Sequence, residues 1–385
     1  MSAALTRSAL LRAGRSLAVL LVVLALTFGI FYLTPTDPAL ALCGKPCDPA
    51  DLEAARAFMG FDAPWYVQFW TFLTGIVAGR QYGSGSVVVD CAAPCLGYSF
   101  QLPAPVTSLI AERFGVTASI AVGAVVLQTV VGVAAGALAA RRRGGILDRL
   151  VTAVSVISAS APAFVVGLLA LVVFALRNDW LPSGGYESLV EAGVGPWALH
   201  LILPWATLAF INGAIYARLV RSSMIEQLGL DYVRTARAAG LAERTIDGYA
   251  LRSLALPVAT LVALDMGVLL GGTVITERIF GLSGLGSLLL DATSTADLPI
   301  IVGTTLVGAL LIVLANLVVD LLRPVLDPRL AAGAGRSRRA DGASVDVPAL
   351  PADALTASTA SAPAVSDPTA PPASTAPTSR QENRS

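Results

Sequence analysis

Charge is scarce in this chain. Only 14% of its 385 residues are Asp, Glu, Lys or Arg, whereas 55% are hydrophobic and the mean hydropathy is +0.72. That mixture excludes an ordinary soluble domain, in which about a quarter of residues are charged. Histidine is nearly absent. His200 alone cannot supply a bis-histidine haem pair or an HExxH metal site, and it reads as an interfacial or packed side chain at the outer end of an apolar run. Lysine is represented by Lys45 only, and no GxxxxGK[ST] loop occurs, so the chain does not itself cradle the phosphates of ATP. The glycines of GLSGLG at 281–286 lack the strand and the lysine that a phosphate loop needs. No nucleic-acid-binding module is visible, and no reactive constellation marks an enzyme.

What the sequence does have is apolar length. A hydrocarbon core of about 30 Å takes about 20 helical residues. Six stretches meet that requirement, near 16–34, 118–140, 151–176, 199–219, 254–276 and 298–322. Basic residues between and beyond them set the orientation, because cytoplasmic loops carry the excess of Lys and Arg. With the N-terminus inside, 20 of the 26 basic residues face the cytoplasm, including Arg141, Arg142, Arg143 and the six from Arg218 to Arg252. The expectation is an all-α membrane protein with six transmembrane helices and both termini cytoplasmic. Residues 1–15 form the inner N-terminus, 16–34 the first span, 35–117 an external loop, 118–322 the remaining core and 323–385 the inner C-terminus. After about residue 331 the Ala, Pro, Ser and Thr composition has no apolar period, which predicts disorder. LALC at 40–43 faintly resembles a lipoprotein cleavage box. Leu42 is too large for that role, and five further apolar runs follow.

The external loop has a pattern of its own. Asp48 and Pro49 read as a cap and first position of a short helix near 49–59 that stops at Gly60. From Pro64, PWYVQFWTFLTGIV sets Trp65, Phe69, Phe72, Leu73 and Ile76 on one surface; it is too short to span and is expected along the outer interface. All four cysteines lie in this loop, as CGKPC (Cys43, Cys47) and CAAPC (Cys91, Cys95). On an external face disulfides are the expected state, with a four-thiolate metal site or free thiols as alternatives. Three connectivities remain open. Each bridge would stabilise the loop by roughly 2–4 kcal/mol.

Polar side chains within the spans are few: Gln128, Asn212, Asp265, Asn316 and Asp320. Asp265 carries the most weight, because a carboxylate near the bilayer centre costs about 2.5–3.5 kcal/mol on insertion scales. It must therefore face protein or water. Asp265, with Asn212, is a candidate for the substrate pathway; a helix-packing hydrogen bond, or a depth nearer the interface, is the alternative.

Between the fourth and fifth spans, at 220–253, the chain becomes polar. DYVRTARAAGLAERTI at 231–246 offers a helical face of Tyr232, Thr235, Ala236 and Ala239, small enough for another surface to approach, with Asp231, Arg234 and Arg237 elsewhere. Gly240 is the expected helix stop, and Leu241 turns the chain toward the next span. A helix, glycine, helix unit with a small-residue face exceeds what topology needs and points to protein docking.

These strings resemble the permease subunits of bacterial binding-protein-dependent ABC importers of the dipeptide, oligopeptide and nickel group, over about residues 8–328. The resemblance rests most on ARLVRSSMIEQLGLDYVRTARAAGLAERTI at 217–246, with LRSLALP at 251–257. SAPAFVVG at 160–167, LPSGGY at 181–186, LILPWATLA at 201–209 and GGTVITERIFGLSGLGSLLLDA at 271–292 add to it. The resemblance implies that 232–241, with Tyr232, Arg234, Thr235, Ala236, Ala239, Gly240 and Leu241, forms a coupling helix. It implies a second similar permease, two cytoplasmic ATPase subunits holding ATP and magnesium, an external solute-binding protein, and no cofactor in this chain. Two features depart from the family pattern: Arg234, Thr235 and Ala236 stand where Glu-Ala-Ala is common, and the paired cysteines have no counterpart. The competing readings are an ion-gradient-driven secondary transporter using Asp265 and a scaffold whose cysteine loop binds a partner.

Overall fold

Long helices form wherever the apolar runs lie, and one of them organises the others. The computed structural model describes residues 3–33, 48–50, 52, 53, 56, 63–84, 87–99 and 101–326, all within one contact unit spanning 1–329. Helix α1 is Ala3–Leu33 and α2 is Trp65–Ala78. Next come two small antiparallel pairs, β1 (Arg80–Ser84) with β2 (Val87–Cys91) and β3 (Tyr98–Ser99) with β4 (Ala104–Pro105). Helix α3 runs from Val106 to Arg141, α4 from Ile146 to Ser160, and α5 from Ala163 to Ala170, widening into a π-helical stretch at Leu171–Arg177. The chain continues as α6 (Val194–Leu228), α7 (Asp231–Ala238), α8 (Glu243–Ser253), α9 (Ala255–Leu270), α10 (Val274–Ile279), α11 (Leu285–Thr295) and α12 (Leu298–Leu326).

Among the described residues, α3, α6 and α12 are each long and apolar enough to cross a membrane alone. Two further candidates are broken. The expected span 151–176 is not one helix: α4 and α5 meet at a 108° bend, placed where Pro162 bars Ala161 from helical geometry. The expected span 254–276 ends earlier, at Leu270, because Gly271 and Gly272 interrupt it, and α8 joins α9 at a 49° bend. The loop 35–117 also needs correction. Its last 12 positions are the first turns of α3, and it carries two β pairs rather than helices alone. The described positions from 49 to 56 are helical, and Leu52 N–H bonds the Asp48 carbonyl at 3.0 Å. The remainder of that short helix, Cys43, Cys47 and the tail from 331 lie outside the described residues.

Helix α3 belongs to three successive hydrophobic clusters. Val106, Leu109 and Ile110 pack with Leu24, Phe28, Phe72, Leu288 and Ile300 at the end that carries the β pairs. Ile120, Ala121 and Ala124 pack with Leu201, Leu208 and Phe280 in the middle. Ala140 joins Val220, Met224, Ala250 and Leu254 at the opposite end, called here the arginine end. Its closest partner is α6. The approach is close because Gly132 and Gly136 face it: a Cβ on Gly132 would sit 2.5 Å from Tyr216 Cβ and 2.8 Å from the Gly213 carbonyl oxygen. One on Gly136 would sit 2.5 Å from the Ala217 carbonyl oxygen. Small residues four apart let two helix backbones meet in this way.

At the β end, Phe28 of α1 packs edge-on to Phe69 and Phe72 of α2, with ring centroids 5.9 and 5.6 Å apart. The expected apolar surface of α2 is therefore used in part: Phe72 is buried and Phe69, Leu73 and Ile76 pack beside it, whereas Trp65 is half exposed. Cys91 and Cys95 form a disulfide, the pairing within CAAPC, and both are buried beside Tyr82.

Overpacking a tight helix contact costs about 1–3 kcal/mol. Gly136→Val should lower the thermal midpoint of the detergent-solubilised protein accordingly. Gly115→Ala, on the same helix with nothing within 4 Å of its added methyl, should leave the midpoint unchanged or slightly raised. Equal behaviour of the two variants would show that the α3 and α6 backbones do not meet at Gly136.

Candidate docking surface and buried polar sites

Helix α7 is short, polar and pinned by one side chain. Asp231 in its first turn and Arg237 in its last suit the helix dipole. Val233 is fully buried and holds the helix onto the protein. Tyr232, Arg234, Thr235, Ala239, Gly240 and Leu241 are exposed and Ala236 is half-buried. The face expected to meet another surface is thus open at three of its four positions, and Ala236 leans toward Val233. The stop at Gly240 is a Schellman turn: Leu241 N–H bonds the Ala236 carbonyl at 3.1 Å, and Gly240 N–H bonds the Arg237 carbonyl at 3.0 Å. Gly240 has φ +77°, a left-handed value that glycine adopts without the clash a Cβ would bring. Across this turn Arg237 donates to both oxygens of Glu243 at 2.8 and 3.2 Å and holds that carboxyl below its usual range.

One ion pair fixes this unit to the arginine end, and a second joins α6 to α4 there. Arg141, at the end of α3, pairs with the buried Asp247 of α8. Arg221 of α6 grips Asp148 with both Nε and Nη2, the latter at 2.9 Å, while Gly144 N–H donates to the same carboxylate at 2.9 Å. The 142–145 turn, the end of α6 and the α7–α8 unit therefore lie together, as the charge pattern required. Neither pair is legible from spacing, because the partners stand 106 and 73 residues apart.

Asp265 of α9 is half-buried and accepts two hydrogen bonds on Oδ2, from Gln128 Nε2 of α3 at 2.7 Å and from Tyr216 OH of α6 at 2.8 Å. Gln128 and Tyr216 are fully buried. Asn212, one turn before Tyr216, is half-buried and makes no hydrogen bond to this cluster. The two candidate pathway residues are therefore not brought together; Tyr216, unremarked in the sequence, takes that place. His200 sits near the start of α6 with Nδ1 2.9 Å from the Pro196 carbonyl, an ordinary packed histidine.

A second buried carboxylate escaped the sequence reading. Glu277 of α10 is fully buried. Its Oε1 accepts from Thr117 Oγ1 at 3.0 Å and Thr273 Oγ1 at 3.3 Å, and its Oε2 accepts from Ser287 N–H at 2.7 Å. Thr117 Oγ1 also accepts the N–H of Leu285 at 2.8 Å. The GLSGLG turn thus delivers the start of α11 onto an internal carboxylate. No group of three or more metal-ligating side chains occurs among the described residues.

Membrane-length helices, two broken spans and a pinned, exposed helix-glycine-helix unit at one end define a multi-pass helical membrane protein of the transporter class. The comparisons identify which one. Residues 132–332 match the family described as binding-protein-dependent transport system inner membrane component, and residues 5–121 match its N-terminal part. A putative peptide transport system permease protein of Brucella abortus (strain 2308) is 35% identical over 327 residues, covering 85% of this chain and 99% of that one. A probable peptide ABC transporter permease protein of Sinorhizobium fredii is 35% identical over 316 residues, 82% of this chain and 96% of that one. A glutathione transport system permease protein of Pectobacterium atrosepticum is 36% identical over 312 residues, 81% of this chain and 94% of that one. The chain belongs to the binding-protein-dependent transport system inner membrane components, and it is a permease subunit of an ABC importer.

Asp148 supplies a pH test of the arginine end. The hydrogen bonds from Arg221 and then from Gly144 hold its pKa down, from 3.8 to about 2. A depressed carboxyl stabilises the fold fully above its unfolded pKa and loses that contribution as pH falls through the folded one. The thermal midpoint of Asp148→Asn should therefore lie below wild type at pH 6, and the gap should close between about pH 4 and pH 2. A gap that is constant with pH would show that the carboxylate charge is not what the Arg221 contact uses.

Proposed function

We propose that this chain is one of two similar permeases in an ATP-driven peptide importer of the cytoplasmic membrane, with six spans and both termini inside. The exposed α7 face, closed by the Schellman turn at Gly240 and held by Val233, carries this reading. It is rigidly based yet has nothing covering Tyr232, Thr235 and Ala239. In this reading α7 docks on a cytoplasmic ATPase subunit, two of which hold ATP and magnesium and perform the hydrolysis that this chain does not. An external solute-binding protein delivers cargo at the β end. The named cargo of the relatives, peptide and glutathione, supports peptides as the substrate class; nickel or another small solute is the chief competitor.

Transmission follows from the packing. Closure of the ATPases moves α7 and α8; Arg141 passes that displacement to the end of α3, and the packing of Ala250 and Leu254 on Val220 and Met224 passes it to α6. Those two helices are locked together at Gly132 and Gly136, so they move as a body, and the response is alternating access by rigid-body rotation rather than local bending.

Two measurements test the proposal. Affinity purification of the chain from its own host should recover ATPase subunits and a second permease in fixed stoichiometry. In proteoliposomes, peptide uptake should require ATP and persist with an ionophore; uptake abolished by the ionophore and indifferent to ATP would replace this reading with an ion-gradient transporter. Gly240→Val forces a β-branched residue to φ +77°, at about 1–2 kcal/mol of backbone strain. It should leave membrane insertion intact and reduce both uptake and the stimulation of ATPase by binding protein. Normal values of both would remove the coupling role from 232–241.

A further inference from the structure

The cluster of Gln128, Tyr216 and Asp265 has an unbalanced set of hydrogen-bonding atoms, and the imbalance specifies a ligand. Within the trio the side-chain donors number three, two N–H of the Gln128 amide and the Tyr216 hydroxyl; the Thr129 hydroxyl, buried beside Tyr216 without a partner among the described residues, is a further donor outside it. All three are engaged internally. Gln128 Nε2 donates to Asp265 Oδ2 at 2.7 Å and to Tyr216 OH at 3.5 Å, and Tyr216 donates to Asp265 Oδ2 at 2.8 Å. Two acceptors are left without a partner among the described residues. One is Gln128 Oε1, which is completely buried; the other is Asp265 Oδ1, on a half-buried residue. A flipped Gln128 amide would set its oxygen against the carboxylate, so the donor arrangement fixes which atoms remain.

The position is as telling as the chemistry. Gln128 stands 13 residues before the end of α3, about 20 Å along its axis, whereas Tyr216 stands only five residues, about 8 Å, before Arg221 on α6. Asp265 meets them there, within the membrane-length helices and in the half toward the arginine end. On α9 it lies between the inward Val262 and Leu269 and the exposed Leu264 and Val268. A carboxylate at this depth does not face lipid, so its open side meets water or another protein.

We propose that Gln128, Tyr216 and Asp265 form a subsite for a primary ammonium group within the translocation pathway, and that it receives the α-amino group of a transported peptide. The assignment of the ligand to a peptide rests on the reading given under Proposed function; the preference for ammonium does not. Such a group brings only donors and one positive charge, which complements the carboxylate and its free Oδ1. Gln128 and Tyr216 are positioning residues: they anchor Oδ2 from two helices and thereby aim Oδ1.

The test uses the complete importer in proteoliposomes. Asp265→Asn keeps an acceptor for Gln128 and Tyr216 but removes the charge. Uptake of a dipeptide with a free α-amino group should fall about tenfold, the scale of one charge-assisted hydrogen bond, while stimulation of ATPase by loaded binding protein is retained. In a second arm, Leu261→Cys, one helical turn before an intact Asp265, is treated with a cationic, membrane-impermeant methanethiosulfonate, with wild type as the background. Labelling is expected, slowed by ethylammonium and not by acetamide. Wild-type uptake in Asp265→Asn, or labelling of Leu261→Cys that ethylammonium does not slow with or without ATP, would overturn the subsite. Equal protection by sodium ions would overturn it in favour of a small inorganic cation. If the wild-type importer moves no peptide while ethylammonium still protects, the peptide reading fails and the ammonium subsite stands.

Discussion

The approach of α3 to α6 is the constraint on which the rest of the molecule depends. Gly132 and Gly136 remove the side chains that would hold the backbones apart, and the Tyr216 and Ala217 turns of α6 fill the space. Through that contact α3 gains a rigid neighbour along its length, and the remaining elements attach to the pair. Helix α9 attaches through Asp265, α10 and α11 through Thr117 and Glu277, and the α7–α8 unit through Arg141. A pair so braced behaves as a frame.

Legibility in the sequence followed the range of the interaction that decides each feature. The glycine stop of α7 rests on atoms within six residues, and both its place and its left-handed geometry were readable. Apolar length located the long helices but overran real breaks. Pro162 and the Gly271–Gly272 pair carry the local signal for those breaks, and a hydropathy window averages it away. The GVAAG string at 132–136 was likewise available as a small-residue motif, though nothing in it names α6 as the partner. The polar sites were readable only in part: Asp265 stood out in an apolar run, but its partners did not. Glu277 meets Thr117 across 160 residues and Asp265 meets Gln128 across 137, so only the folded chain reveals which groups they bond.

The arginines at one end have two physical uses. As a population they set orientation, a statistical effect of charge against the membrane potential and its lipids. Arg141 and Arg221 in addition neutralise buried carboxylates of other helices. The orienting residues and the residues that tie the polar insert to the frame are therefore in part the same side chains. This explains why the insert is polar without being loose.

Glu277 lies directly beneath the glycine-rich turn. A Cβ on Gly284 would fall 2.5 Å from its carboxyl carbon, and one on Gly286 would fall 3.1 Å from Oε2 and 2.7 Å from the backbone of Val274. The glycines are thus a consequence of the carboxylate: the turn is a thin cover laid over a charged side chain, with no thickness to spare. Residues 277, 284 and 286 act as one steric variable, in which any gain of volume at one position demands a loss at another.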